Sequence, residues 1–563
     1  MRPRLLAIPI EDNAGVVTGG FWGCTLFQWL HVQLLFIPES LRGKGVGSAL
    51  MAAAETEARK RGCIGAHVTS FSFQAVPFYE KLGYTLFGQL DDYPPGHNLI
   101  YLRKRFDTPD TRKAQALKHA REFALLGEDE AAKQAYVDVL RLDATDFAAL
   151  NEIGALACAS GHRSAARSAY SQAVQCHPGN PIGRVNLGNL LLDDGDVSAA
   201  RMQFEAALAV DPEFPEAHQA MARVLTDLEA NADQHWKKGF AGHAIITKPY
   251  RGTGAGVPLL LLVSARGGNI PTRPWIDDRH FAVSAVYTEF HNSTQTLPSH
   301  ILVMNAIGDA DRCTLALENA DKLLACTTAP IINLPARVQA TGRAANARRL
   351  ARIPGVVSPE TIVLQREAIV ATKGLRFPLL LRAPGFHTGR HFHYVENPEA
   401  LAQAAAALPG AELLAIQYCN ARGPDGMARK YRVMFIDGVL WPWHLAIAAD
   451  WKVHYFTAEM AANAAHREEE RRFLEDMPAV LGLRAMTALG AICATLGLDY
   501  AGVDFALAED GSVVVFEANA TMAINPPEPD PIWDYRRRAA ANVVAAVQRM
   551  LVRRAGAVTT RDP

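Results

Sequence analysis

The sequence predicts a multidomain chain that is mixed α/β at both ends and all-α in between. Three observations carry that prediction. Small and aromatic residues recur every 34 positions in the middle of the chain. Before them, an apolar strand runs through a glycine-rich turn into an alanine-rich helix. After them, from about residue 240 to 555, short apolar strands alternate with helical stretches. A chain of 563 residues suggests three or more domains, and 49% hydrophobic against 20% charged residues is enough to bury separate cores.

The repeat is the clearest element. Gly127, Gly161 and Gly195 keep the interval, as do Ala132, Ala166 and Ala200, and Tyr136, Tyr170 and Phe204; Pro178 and Pro212 each follow an apolar helical run. This is the tetratricopeptide signature, and it implies a helical solenoid of two helices per repeat over residues 108–235. The alanines let paired helices approach, and the aromatic is expected to fill the groove against the next repeat. Such stacks form a curved surface, either a spacer or a dock for a protein or peptide partner.

Upstream, Trp29–Pro38 alternates into the turn at residues 39–47 and the helix Ser48–Lys60. Backbone N–H groups of a glycine turn at a helix N-terminus favour an anion, and Arg42, Gly43, Gly45 and Gly47 supply that turn. Together with the segment Phe71–Tyr84, it resembles the GNAT N-acetyltransferases over roughly residues 15–105 of a domain set at 1–105. The resemblance implies that Arg42, Gly43, Gly45 and Gly47 hold the pyrophosphate of acetyl-CoA. It also implies that Tyr79 is the general acid near the thioester sulfur and that backbone around Leu35–Ile37 holds the carbonyl. Ser72 stands where many members carry Asn, and His31 is the one nearby candidate base. The family's first strand and its amine-side helices find no counterpart, so the segment reads as N-terminally shortened. Acetyl-CoA binding without rapid transfer is the expectation.

Downstream, Asp504 precedes Glu517 and Asn519 by one strand-pair's length, and alternation puts Glu517 and Asn519 on one face. Three oxygen ligands on a rigid sheet suit Mg²⁺. These residues resemble the metal motif of ATP-grasp enzymes, in the glutathione-synthetase and ribosomal-protein glutamate-ligase branch, over about residues 300–530. The resemblance implies ATP and Mg²⁺ (or Mn²⁺) as cofactors, with an ATP-grasp α+β domain at 336–556 and a small α/β domain before it at 240–335. It places Arg343 and Arg382, usually lysines, on the phosphates, under a covering loop that includes Gly385, His387 and Gly389. Gln417 falls at the adenine hinge, Lys430 and Arg432 on the next strand, and Lys452 and His454 where the family has a basic residue and an Asn. Arg432 and Arg382 are the catalytic candidates there. His391, His393 and His444 share the region, with phosphate or carboxylate binding the expected use. The turn Ser264–Asn269 reads as a substrate-side loop or a plain structural turn.

The family's chemistry is ligation of a carboxylate to an amine through an acylphosphate, on small-molecule or peptide substrates. Two other readings stay open: a tetratricopeptide scaffold with degenerate flanking domains, and a kinase-like ATP-grasp without amine transfer. A formal net charge of -1 removes the footprint of a nucleic-acid or anionic-membrane binder. Eight cysteines without a CxxC pair suggest neither a disulfide framework nor a zinc site. The N-terminus turns polar too early for a signal peptide and the longest apolar run is short, so a cytoplasmic setting is expected.

Overall fold

The computed structural model describes residues 2–559 apart from 107–108, 229, 293–294, 385–390, 421, 454, 456–457 and 529. It divides into two compact units, residues 1–206 and 207–563.

The first unit opens with β1 (Arg4–Glu11), β2 (Val17–Leu26), β3 (Trp29–Phe36), α1 (Val46–Lys60), β4 (Gly65–Phe71), α2 (Val76–Lys81), β5 (Thr85–Leu90) and β6 (Leu99–Arg105). They form one six-stranded sheet in the order β1-β2-β3-β4-β6-β5, in which only β3 and β4 run parallel. β1 was missed by sequence reasoning, although Leu6 is buried and Ile8 and Ile10 pack on the same core; this period of two was the available signal. Leu50, Met51, Ala54 and Ala58 of α1 and Tyr79 of α2 cover the face that carries Leu30, Val32, Ala66 and Val68. Buried Glu55 of α1 accepts from Tyr84 Oη at 3.1 Å and from Lys104 Nζ at 2.7 Å, pinning α1 to the sheet.

Helix pairs follow: α3 (Pro109–Leu126) with α4 (Asp129–Leu142), α5 (Phe147–Ala159) with α6 (Arg163–Cys176), and α7 (Pro181–Asp193) with α8 (Val197–Val210). The recurring glycines are the turns inside each pair. Gly127, Gly161 and Gly195 have φ of 71°, 77° and 85°, a left-handed conformation that glycine adopts without steric penalty. Ala132, Ala166 and Ala200 are wholly buried. Two of the aromatics correct the expectation above: Tyr170 packs on Gly154 and Phe204 on Gly188, each inside its own helix pair. Tyr136 shares a core with Ala120 of its own pair and with Ala149 of the next.

The second unit contains α9 (Pro215–Asp227) and α10 (Asp233–Phe240), then a five-stranded sheet of β7 (Ile245–Thr247), β8 (Val257–Val263), β9 (Phe281–Tyr287), β10 (Leu302–Asn305) and β11 (Ile331–Ile332). Its order is β11-β10-β8-β9-β7, parallel except at the β7 edge, with α11 (Thr314–Leu324) between β10 and β11. After α12 (Pro335–Gln339), α13 (Arg343–Leu350) and β12 (Val356–Val357) come β13 (Thr361–Gln365), β14 (Leu379–Arg382), β15 (Phe392–Val395), α14 (Pro398–Ala406) and β16 (Glu412–Gln417). β13-β16-β14-β15 is an antiparallel sheet with its own small core under α14. The chain ends with β17 (Ala428–Ile436), β18 (Val439–Ala448), α15 (Ala464–Glu475), α16 (Met477–Leu496), β19 (Tyr500–Leu507), β20 (Val513–Asn519) and α17 (Asp534–Thr559). These strands form the sheet β12-β20-β19-β17-β18. α16 is the one described helix long and apolar enough to cross a membrane. Here Leu481, Ala485, Leu489, Ile492 and Leu496 join the core of that sheet, which accounts for its composition.

Candidate functional sites

In the first unit, β3 and β4 pair only from Trp29 with Gly65 to Val32 with Val68, although both strands run on to Phe36 and Phe71. Their C-terminal halves therefore part, and the turn at 39–47 follows directly. Gly43 and Gly45 take φ of 73° and 77°, Gly45 is the N-cap of α1, and a Cβ at either would meet nothing within 4 Å. That leaves open backbone N–H groups at a helix N-terminus, the physical requirement for a phosphate. Gly47 does something different: it lies inside α1, where a Cβ would stand 3.3 Å from the Phe78 ring. Arg42 turns its Nε back to the Ile37 carbonyl at 3.1 Å. Tyr79 is buried against Phe78 and Tyr84, and burial pushes its phenol above the usual range.

His31 does not share that face. It pairs with His67 across the strands, Nδ1 to Nε2 at 2.9 Å, while its neighbours Leu30 and Val32 point into the core with Tyr79. Alternation thus puts His31 on the side of the sheet away from α2, and it is no base for chemistry at Tyr79. Ser72 engages the loop before β6, its Oγ accepting from Asn98 N at 3.1 Å.

In the second unit, a cavity of about 730 Å³ is bounded by the antiparallel sheet on one side and the β17–β20 sheet on the other. Register builds its floor. Glu517 of β20 is opposite Asp504 of β19, Asp504 is opposite Arg432 of β17, and Arg432 is opposite His444 of β18. Four strands therefore carry acid, acid, guanidinium and imidazole in one row, and all four residues line the cavity. Asp504 is gripped by Arg432 through two bonds of 2.5 and 2.8 Å and by Lys430 at 3.4 Å. Burial alone would raise its pKa, but those two cations hold it well below the carboxylate range. Glu517 receives Arg343 at 2.5 Å and the Asn519 amide at 2.8 Å, and Asn519 Oδ1 accepts from Thr521.

Arg382, at the end of β14, is 8% exposed; burial, with Arg343 nearby, pulls its guanidinium down to about 10. Its Cζ lies 5.6 Å from the Phe392 ring. Gln417 and Lys452 also line the cavity, with Tyr418, Phe392 and Trp451 as an aromatic wall. Gly268 and Asn269 reach it from the turn after β8, whose Gly268 sits so tightly that a Cβ would lie 2.6 Å from Cys313 Sγ. Gly385, His387, Gly389 and His454 fall outside the described residues.

Sequence reasoning passed over Asp309 and Asp311. Asp311 Oδ2 accepts from Arg343 N at 3.1 Å, and Asp309 caps the turn into α11 by accepting from Asp311 N and Arg312 N. Two acids in a turn that follows an apolar parallel strand were a usable signal. Tyr455, Trp533 and Arg536, on the cavity wall, carried none, because Tyr455 joins the other two only in the fold.

The splayed strands, the glycine turn and the buried tyrosine define the class of the first unit's sheet domain as an N-acyltransferase. The acetyltransferase (GNAT) family model matches residues 3–84, and a tetratricopeptide repeat model matches residues 157–224. Acetyltransferase Atu2258 of Agrobacterium fabrum is 46% identical over 103 residues, 18% of this chain and 75% of that protein. Blasticidin-S acetyltransferase of Streptomyces morookaense is 48% identical over 102 residues, 17% and 75% of the two chains. A crystal structure of an acetyltransferase from Bacillus cereus aligns at 36% identity over 18% of this chain and 74% of its own, with a TM-score of 0.18. Through its N-terminal segment the chain belongs to the GNAT acetyltransferase family, and it carries tetratricopeptide repeats.

Proposed function

We propose that the chain joins two chemistries: N-acyl transfer from acetyl-CoA in the GNAT segment, and ATP-dependent ligation of a carboxylate to an amine in the cavity of the second unit. The helical repeats dock a peptide or protein partner, and the setting is cytoplasmic. The ligase reading assigns residues 336–556 to an ATP-grasp domain, with 240–335 as the smaller domain before it.

One observation carries the ligase reading, the pairing of charges on the cavity floor. Arg432 and Lys430 hold Asp504, and Arg343 holds Glu517. Three cations and two carboxylates satisfy each other in the free molecule. A triphosphate with a divalent cation offers the same charges for exchange: phosphates to the guanidinia, the cation to the carboxylates. The oxygen donors of Glu517 and Asn519, with Asp504 beside them on the adjacent strand, fit such a cation, which would neutralise phosphate charge when bound. The aromatic wall of Phe392, Tyr418 and Trp451 suits a planar base, with Gln417 beside it.

The residues then act by position and charge. Arg343, Arg382 and Arg432 stabilise the oxygens of the phosphoryl group in transfer. A substrate carboxylate oxygen bonds to the γ-phosphorus as the bond to ADP breaks. The amine nitrogen then bonds to the acyl carbon, orthophosphate leaves, and the amine proton goes to solvent. Glu517→Gln tests this: ADP release in Mg²⁺ or Mn²⁺ should fall to background while the fold is retained. Turnover equal to wild type would refute the assignment.

In the GNAT segment, the turn around Gly43 and Gly45 would hold the CoA pyrophosphate, and Tyr79 would protonate the thiolate as the acceptor amine takes the acetyl group. Two acetyltransferases at 46% and 48% identity favour transfer as well as binding. The check is acetyl transfer to an amine panel, with Tyr79→Phe expected to slow it at least ten-fold; equal rates would remove Tyr79 from the mechanism.

A further inference from the structure

Four aromatic rings of the first unit's sheet domain have no part in the chemistry assigned so far. Phe71, the last residue of β4, is opposite Leu99, the first of β6. The loop 91–98 before β6 therefore stands at the C-terminal end of β4, the end at which β3 and β4 part. The rings of Phe71 and Phe73 stack, with 5.4 Å between centroids and 4° between planes. His97 meets Phe73 edge to face at 4.7 Å, and Tyr93 lies 6.3 Å from Phe71. Yet Phe73 is 56% exposed and Tyr93 54%.

Rings so exposed gain little from burial, so packing does not account for their order. Backbone hydrogen bonds hold them instead. Ser72 N donates to the Asn98 carbonyl at 2.8 Å, and Asn98 N to Ser72 Oγ at 3.1 Å. Asp92 N donates to Asn98 Oδ1 at 3.1 Å, and Tyr93 N to the His97 carbonyl at 2.6 Å. Ser72 thus ties the loop to the end of β4. A pre-ordered aromatic surface facing water suits a flat ligand, because little is left to order on binding.

This surface lies on the open side of the sheet. Ala66 and Val68 point into the core with Leu50, Met51 and Tyr79, so alternation turns His67, Thr69 and Phe71 the other way. Thr69 and Arg103 of that face are exposed. An acceptor amine therefore reaches the parted strands from the side of Phe71, opposite Tyr79. Charge selects among amines. Residues 89–98 hold Asp91 and Asp92, both exposed, and no lysine or arginine. Aromatic faces in an acidic loop attract cations, and a guanidinium stacks there better than an ammonium because it is flat and more weakly hydrated.

We propose that Phe71, Phe73, Tyr93 and His97, with Asp91 and Asp92, form the acceptor platform of the GNAT segment, and that the acceptor is an amine with a guanidinium at its other end. This rests on the acyl-transfer reading and adds the class of its amine. The guanidinium lies on the exposed rings, and the reacting amine extends towards the parted ends of β3 and β4.

The experiment compares butylamine, putrescine and agmatine, which share one butyl chain and differ at its far end. Binding is read by calorimetry on the full chain with and without CoA, and transfer by thiol release from acetyl-CoA. Agmatine should bind at least ten-fold tighter than butylamine, with putrescine between them and the gap narrowing as salt is raised. F73L should erase the preference and F73W keep it, since leucine fills space without a π face; D91N/D92N should reduce it. Equal binding of agmatine and butylamine, no binding of any of the three, or a preference intact in F73L would each overturn the proposal. Preferential agmatine binding without transfer to any amine would instead sink the transfer reading and leave the platform standing.

Discussion

Gly188→Ala is a small change with a sign that the packing fixes. By helix propensity alone it should stabilise α7, since alanine is favoured over glycine by about 0.8–1.0 kcal/mol in a helix interior. The tertiary contact opposes this. A Cβ at 188 would stand 2.4 Å from Phe204 Cε1, 2.8 Å from Cδ1 and 3.0 Å from Cζ. Carbon atoms pack best at about 3.5–4.0 Å, so the ring must retreat by roughly 1 Å. Phe204 is wholly buried, as are Ala200 and Ala207 of the same helix, so the retreat displaces the pair of helices. Overpacking of this kind costs about 1–3 kcal/mol, which leaves a net loss of about 1 kcal/mol. Phe204→Ala removes the ring and should cost about 3–5 kcal/mol. With the ring gone, the added methyl has nothing to strike. Gly188→Ala/Phe204→Ala should then be about 1 kcal/mol more stable than Phe204→Ala, a coupling of about 2 kcal/mol. Native-state hydrogen exchange on peptides of α7 and α8 reads these values locally in the full chain. A Gly188→Ala variant more stable than wild type, or a cycle with no coupling, would refute the argument.

Other expectations follow from the two sites. Arg382→Ala should weaken ATP binding at least ten-fold by calorimetry and Arg382→Lys should recover much of it, because lysine also binds phosphate as a point charge; wild-type affinity in Arg382→Ala would remove β14 from the nucleotide site. Gly45→Asp should abolish acetyl-CoA binding, while Gly62→Asp, which strains a glycine of similar φ (80° against 77°) just past the C-terminal end of α1, should not; equal binding in both would clear the turn of any role. His444 bears on pH. Burial and the nearby Arg432 hold its imidazole well below the usual range, so the unfolded chain takes up a proton near pH 6.5 that the folded chain refuses. Stability contributed by this group should therefore fall as pH drops below about 6.5, by up to about 1.4 kcal/mol per pH unit. His444→Asn should flatten that slope in hydrogen exchange of β18, and an unchanged slope would show that the imidazole is protonated in the fold.

How much of this was legible in the sequence depends on whether the signal was periodic. Gly127, Gly161 and Gly195 announced three turns because a left-handed backbone between helices selects glycine at every repeat. Asp504, Glu517 and Asn519 were legible because two neighbouring strands and a period of two fix which residues share a face. The turn at Gly43 and Gly45 was legible because open backbone at a helix N-terminus needs residues without side chains. Local rules act over a few residues, and a sequence prints them directly.

What only the tertiary structure decided was every relation between distant segments. No spacing indicates that Tyr170 fills its own helix pair through Gly154, since that depends on where two helices cross. None indicates that His31 lies against His67 on the face opposite Tyr79, because strand order decides which residues meet. The row from Glu517 through Asp504 and Arg432 to His444 crosses four strands drawn from a stretch of 86 residues, counting from Arg432 to Glu517, and exists only through register. Tyr455, Trp533 and Arg536 come together because α17 returns over the sheet and buries its apolar side there. Burial also set the charges, pulling Arg382 down and holding His444 neutral, since desolvation is a property of the packed interior and not of any residue type.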